Sequence, residues 1–131
     1  HNGPTEIKVE RGHLLHFDFG VRYEEYCSDI QRVAYVLREG EIEPPIEVQR
    51  GFLTIRTAIE KSRQAMKAGV TGNSIDVIAR EIVSDSGYPD YPYALGHQLG
   101  RVAHDGGALA GAGYRDVLAC GFSRCSGRRI A

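Results

Sequence analysis

Two apolar stretches open the ordered part of the chain. His13 to Val21 is rich in Leu, Phe and Val and reads as a strand. Cys27 to Leu37 carries Ile30, Val33, Tyr35 and Val36 and reads as a second strand. The polar residues Arg22 to Glu25 between them predict a turn and an antiparallel hairpin. Upstream, residues 1–12 are polar, with turn signals at Gly3-Pro4 and Gly12.

From Pro45 the apolar period changes. Glu39 to Pro45 is a loop, and proline is pre-organised for the first turn of a helix. Val48, Phe52, Ile55, Ile59 and Met66 then recur at helical steps and predict one buried stripe, with Gly69 as a stop. A second helix is expected from an N-cap at Asn73 or Ser74. Its stripe is Ile75, Ile78, Ala79, Ile82 and Val83, and Gly87 and Pro89 end it. Residues 88–95, YPDYPYAL, form an aromatic loop in which Tyr88, Tyr91 and Tyr93 either pack the loop or line an apolar pocket. Hairpin, helix, helix and a further extended segment is an α+β order, not that of a doubly wound parallel sheet.

Composition narrows the class. The chain has 131 residues, 42% hydrophobic and 25% charged, as in a folded soluble domain. No apolar run is long enough to span a bilayer, so no membrane partner is expected. The net charge of −1 gives no case for nucleic acid. That average conceals a split: residues 1–106 carry −4 and residues 107–131 carry +3. Three cysteines (Cys27, Cys120 and Cys125) without CxxC spacing argue against a disulfide scaffold and for a reducing, cytoplasmic setting.

Two pairs of residues bear chemistry. Asp is disfavoured in strands, yet Asp18 lies inside the first and Asp29 opens the second. A hairpin centred on the Tyr23–Glu24 peptide pairs residue 18 with 29, with Cβ atoms roughly 5 Å apart. Two carboxylates at that range repel by about 3 kcal/mol at an effective dielectric near 20. A shared proton or a bound cation removes the penalty; so does a different register, or a solvated face. His97 and His104 stand seven residues apart in GHQLGRVAH, with Gly96 and Gly100 permitting close backbone approach. A strand sends the two rings to opposite faces, whereas a strand–turn–strand path aims both at one pocket, for metal ligation or proton transfer. Two ordinary core or surface histidines are the alternative. Arg32, three residues after Asp29, is placed to pair with a carboxylate. His13 and His16 flank the first strand as ordinary strand or surface residues. No phosphate loop and no GxSxG elbow occurs.

Two segments carry a family resemblance. Asp18 to Arg32, with its eleven-residue step between aspartates, resembles the metal-binding hairpin of the pita-bread metallopeptidases, which include methionine aminopeptidase, aminopeptidase P and prolidase. Gly96 to His104 resembles that family's GHxxG…H motif. Arg32 and the Tyr-x-Ser-Asp wording are nearer to prolidase and aminopeptidase P. The resemblance implies two divalent metals, commonly Mn, Co or Zn. It implies Asp18 and Asp29 as ligands, Asp29 bridging, and His97 as a third. His104 becomes a catalytic, substrate-binding histidine that stabilises the tetrahedral intermediate, and His1 a further substrate-binding one. A metal-bridging hydroxide would attack the scissile carbonyl, and the substrate would be a peptide, of the Xaa-Pro type.

The sequence also departs from that pattern. The family draws two more metal-binding glutamates from beyond the second histidine, but no Glu follows Glu81 here. Residues 1–107 are therefore expected to be the first part of a pita-bread catalytic domain, and 108–131 an atypical tail left by truncation or a shifted reading frame. Such a chain is expected to bind metal weakly and to hydrolyse Xaa-Pro bonds little, if at all. Self-association, including a homodimer, is expected where apolar surface lies uncovered. Two rival readings stand: a non-catalytic pita-bread module that binds a peptide or partner, and a metal-free hydrolase like creatinase. Retention of both aspartates counts against each.

Overall fold

In the computed structural model, residues 6–105 and 109–111 are described. Eight elements follow in order: β1 (Leu14–Phe19), β2 (Arg22–Tyr23), β3 (Tyr26–Cys27), β4 (Ile30–Tyr35), α1 (Ile46–Ala65), α2 (Gly72–Asp85), β5 (Gly96–His97) and β6 (Leu109–Ala110). The hairpin is antiparallel, β1 on β4 and β2 on β3.

The register differs from the sequence expectation by one pairing. Tyr23 faces Tyr26 and Asp18 faces Gln31, so the turn is Glu24-Glu25 and not the Tyr23–Glu24 peptide. Both glutamates adopt positive φ, 44° and 68°, as a two-residue hairpin turn requires. No Gly or Asn marked the turn, which is why its centre was misplaced. Between the two short ladders, Ser28 N–H donates to the Val21 carbonyl at 2.8 Å, and Val21 N–H donates to Ser28 Oγ at 3.0 Å. A Cβ at Gly20 would collide with the Ser28 carbonyl oxygen, so only glycine lets the strands close here.

Helix α1 starts after Pro45, whose carbonyl accepts from Val48 and Gln49 at 3.0 Å each. The second helix is capped by Thr71, not by Asn73 or Ser74; the Thr71 hydroxyl accepts from Ser74 N–H at 3.3 Å. Threonine does the same capping chemistry two residues earlier. Gly87, at φ 84°, follows the end of α2, and its N–H donates to the Ser84 carbonyl at 2.8 Å.

The core lies between the helices and is built from small residues. Thr54, Ala58 and Ser62 of α1 are buried, as are Ile75, Ala79 and Val83 of α2. Both sets recur every four residues, the spacing by which ridges of one helix fill grooves of another. The stripe expected to be buried on α1 is turned away: Phe52, Ile55, Ile59 and Met66 are each about half exposed. Small side chains allow closer approach to α2 and so win that interface. Tyr88, Tyr91 and Leu95 pack against the same core, while Tyr93 is exposed. Tyr88 and Tyr91 of the aromatic loop thus pack against the helices. No helix among the described residues is long and apolar enough to cross a membrane.

Candidate active site

The hairpin meets the loop that follows β5. Cys27 N–H donates to the Gly100 carbonyl at 2.8 Å, and Cys27 Sγ contacts the Arg101 carbonyl oxygen at 3.4 Å. Arg101 lies 3.8 Å from Glu25, both side chains largely exposed, so that pair adds little. Next to this seam, Asp29 Oδ2 stands 3.3 Å from His97 Nε2, with the two side chains 25% and 28% exposed. The ring of His104 stacks on that of His97, centroids 4.5 Å apart and planes 23° apart.

The strand–turn–strand path is what joins the two histidines. β5 pairs with β6, Gly96 facing Ala110 and His97 facing Leu109, and the intervening loop carries His104 back over His97. Gly100 serves the loop's closure: a Cβ there would meet the Asp105 carboxylate. Gly96 has open space around it and makes no close approach. His97 Nδ1 lies 3.1 Å from the Gln98 carbonyl, which fits an Nδ1–H tautomer and leaves Nε2 facing Asp29.

Asp18 sits on the same face as Asp29 but diagonally, not opposite, since its direct partner is Gln31. Diagonal neighbours across a ladder are about 7–8 Å apart, so the mutual repulsion is weaker than that of a direct pair. Gln31 Nε2 donates to Asp18 Oδ2 at 3.5 Å, and Gln31 Oε1 lies 3.4 Å from His16 Nε2. Gln31 was not foreseen as a neighbour of the site; the shifted register brings it there. Among the described residues Arg32 pairs with no carboxylate; its Nη1 donates to the Gln31 carbonyl at 2.7 Å. His13 Nδ1 accepts from Glu10 N–H at 3.2 Å, an ordinary turn contact. His1, Cys120 and Cys125 lie outside the described residues.

Asp18, Asp29 and His97 are the donor types that bind transition-metal dications. Among the described residues, however, no three of His, Cys, Asp and Glu converge on one metal position. Asp29 and His97 converge as a pair, and Asp18 stands one ladder step away. These residues therefore form part of a donor set and not a closed site.

One group of residues near the site was missed altogether. Asp76 is fully buried and pairs with Arg80, one turn on along α2, Nε to Oδ2 at 2.5 Å. Arg80 also donates to Asp90 at 2.6 Å and to the carbonyls of Tyr91 at 2.7 Å and Tyr93 at 2.8 Å. The pair lies inside a segment read only for its apolar stripe, and its Asp-x-x-x-Arg spacing was the available signal.

A model of metallopeptidase family M24 matches residues 1–122. An uncharacterized peptidase of Staphylococcus haemolyticus is 40% identical over 118 residues, which is 89% of this chain and 30% of that protein. Among solved structures, a prolidase of Thermococcus sibiricus superposes with TM-score 0.78 at 30% identity, covering 90% of this chain and 31% of the other. An X-Pro aminopeptidase of Thermotoga maritima gives TM-score 0.74 at 36% identity, covering 85% and 30%. The chain spans about 30% of the length of the relatives it matches. The family match runs on to residue 122, into the stretch expected to be an atypical tail. The α+β architecture is that of part of the pita-bread fold, and with the family model matched over nearly its whole length the chain belongs to metallopeptidase family M24.

Proposed function

We propose that this chain contributes the Asp18, Asp29 and His97 donors of a two-metal peptidase site that acts on Xaa-Pro peptides, with His104 as the substrate-facing histidine. The observation that carries the reading is the meeting of Asp29 and His97 at 3.3 Å, with the His104 ring stacked on that of His97. A carboxylate and an imidazole nitrogen this close are donor types that could hold one dication between them. When bound, the metals supply an activated water and polarise the scissile carbonyl. Support for the substrate class comes from the prolidase of Thermococcus sibiricus and the X-Pro aminopeptidase of Thermotoga maritima, named for those activities.

The two further glutamates that the resemblance calls for are not among these 131 residues, since no Glu follows Glu81. On these residues alone, metal binding is expected to be weak and hydrolysis of an Xaa-Pro dipeptide with added Mn or Co slight. We place the protein in a reducing, cytoplasmic setting, with peptide as its substrate and a homodimer as its assembly. Metal analysis combined with an Xaa-Pro hydrolysis assay tests the reading. Saturable Mn, Co or Zn binding that His97→Ala weakens supports it. Peptide binding that no metal or chelator alters would favour the metal-free module, and brisk metal-independent turnover the creatinase-like hydrolase.

A further inference from the structure

We propose that Asp76 and Arg80 form a positioning pair that sets the loop leading into His97, and so fixes His97 against Asp29 and His104. Asp76 is fully buried on α2, and every contact of its carboxylate points one way along the chain. Oδ2 accepts from Arg80 Nε at 2.5 Å. Oδ1 accepts from the Tyr91 hydroxyl at 3.2 Å and from Leu95 N–H at 3.1 Å, a donor shared with the Ala110 carbonyl at 2.7 Å. Arg80 places three of its four remaining donors on the same loop: the Asp90 carboxylate and the carbonyls of Tyr91 and Tyr93. Its guanidinium also lies 4.2 Å over the centroid of the Tyr91 ring.

The two side chains thus grip backbone groups at 91, 93 and 95, in a bent segment that runs directly into β5. Pinning three points of that segment sets where β5 begins, and with it the position of His97 two residues after Leu95. A buried ion pair seldom stabilises more than hydrophobic replacements of the same shape would. What this one supplies is direction. The carboxylate is multiply bonded and the guanidinium is a planar fork with fixed donor geometry. Leucine or methionine at 76 and 80 would fill the space without selecting a loop path.

The metal-ligand role of His97 rests on the reading proposed above, but its placement by Asp76 and Arg80 does not, and the two are tested apart. The whole chain, isotope-labelled at histidine, is examined by NMR without metal or substrate. Three readouts serve: the cross-relaxation peak between the His97 and His104 rings, hydrogen exchange of the Leu95 amide, and a contact between Ala58 and Ala79 as a report on helix packing. Asp76→Asn and Arg80→Lys are each expected to remove most of the His97–His104 peak. They speed Leu95 exchange by about tenfold or more, as for a locally opened segment. The Ala58–Ala79 contact survives in both. Ser62→Ala, which removes the interhelical hydrogen bond to the Ile75 carbonyl and none to the loop, keeps the ring peak.

Retention of the His97–His104 peak in Asp76→Asn or Arg80→Lys overturns the proposal. So does an equal loss in Ser62→Ala, which would make the effect one of general stability. Should Asp76→Asn not fold, Asp90→Asn carries the test. It removes one exposed arm of Arg80, and a partial loss of the ring peak supports the pairing while no loss contradicts it. A chain whose His97 proves indifferent to metal, yet moves with Asp76, refutes the metal reading and leaves the positioning pair standing.

Discussion

The residues that matter here divide by how their chemistry shows in a sequence. Asp18, Asp29, His97 and His104 stand out as proposed site residues because charged and imidazole side chains among apolar strand residues need a reason, and their spacings resemble a known pattern. Asp76 was invisible because an Asp–Arg pair one turn apart on a helix reads as surface charge; only its complete burial shows otherwise. Replacement of Asp76 by Ala is expected to destabilise the chain by about 3–5 kcal/mol, since it strands a guanidinium beside the core. Urea denaturation measures this. Tyr91 gives a pH signature in the same network. Burial first, and then the nearby Asp76 charge, push its phenol up to about 12. Because the folded value lies above the unfolded value near 10, Tyr91's contribution is complete below pH 10 and is lost as pH rises toward 12. Denaturation midpoints followed from pH 8 to 11.5 are expected to fall less in Tyr91→Phe than in the parent. Tyr35 shifts in the same direction and remains as a common background.

At the scale of elements, the order of hairpin, two helices and a returning extended segment was readable from periodicity. The details that failed have physical causes. The hairpin turn holds two glutamates at positive φ, an arrangement that sequence preference disfavours, so the register could not be centred from composition. Helix α1 has two faces able to pack, and the larger residues are not on the face that meets α2. Thr54, Ala58 and Ser62 are there instead, with the Ser62 hydroxyl donating to the Ile75 carbonyl at 3.3 Å. A stripe count ranks faces by hydrophobicity, whereas close helix approach selects for small size. Ala58→Leu is therefore expected to cost about 1–3 kcal/mol through overpacking, read as a lower midpoint in urea. Ile55→Ala, on the outward face, is expected to change the midpoint far less.

For the whole molecule, the balance of buried and exposed apolar groups is unusual. Ala58, Ile75, Ala79 and Val83 are the buried hydrophobic residues described. Phe52, Ile55, Ile59 and Met66 on α1, and Leu14, Phe17, Phe19 and Val33 on the hairpin, lie open to solvent. Exposed apolar side chains in this number favour association. Sedimentation velocity is expected to show concentration-dependent self-association that Ile55→Lys with Ile59→Glu reduces; a strictly monomeric parent would contradict this. Fold and family were legible from the sequence because two motifs with their spacings carry both. The converging geometry was not, because it depends on a hairpin register and a loop path that no local pattern encodes.

The central claim is that Asp29 and His97 hold one cation between them. A double-substitution cycle on Mn(II) affinity, read by electron paramagnetic resonance of the free ion, tests it most directly. Asp29→Asn and His97→Ala are each expected to weaken binding by more than about tenfold, the lower end of what loss of even an outer-shell partner costs. The double variant is expected to be little weaker than the poorer single one, because two ligands of one ion act as a unit. Binding that neither substitution changes, or losses that simply add, would contradict the account.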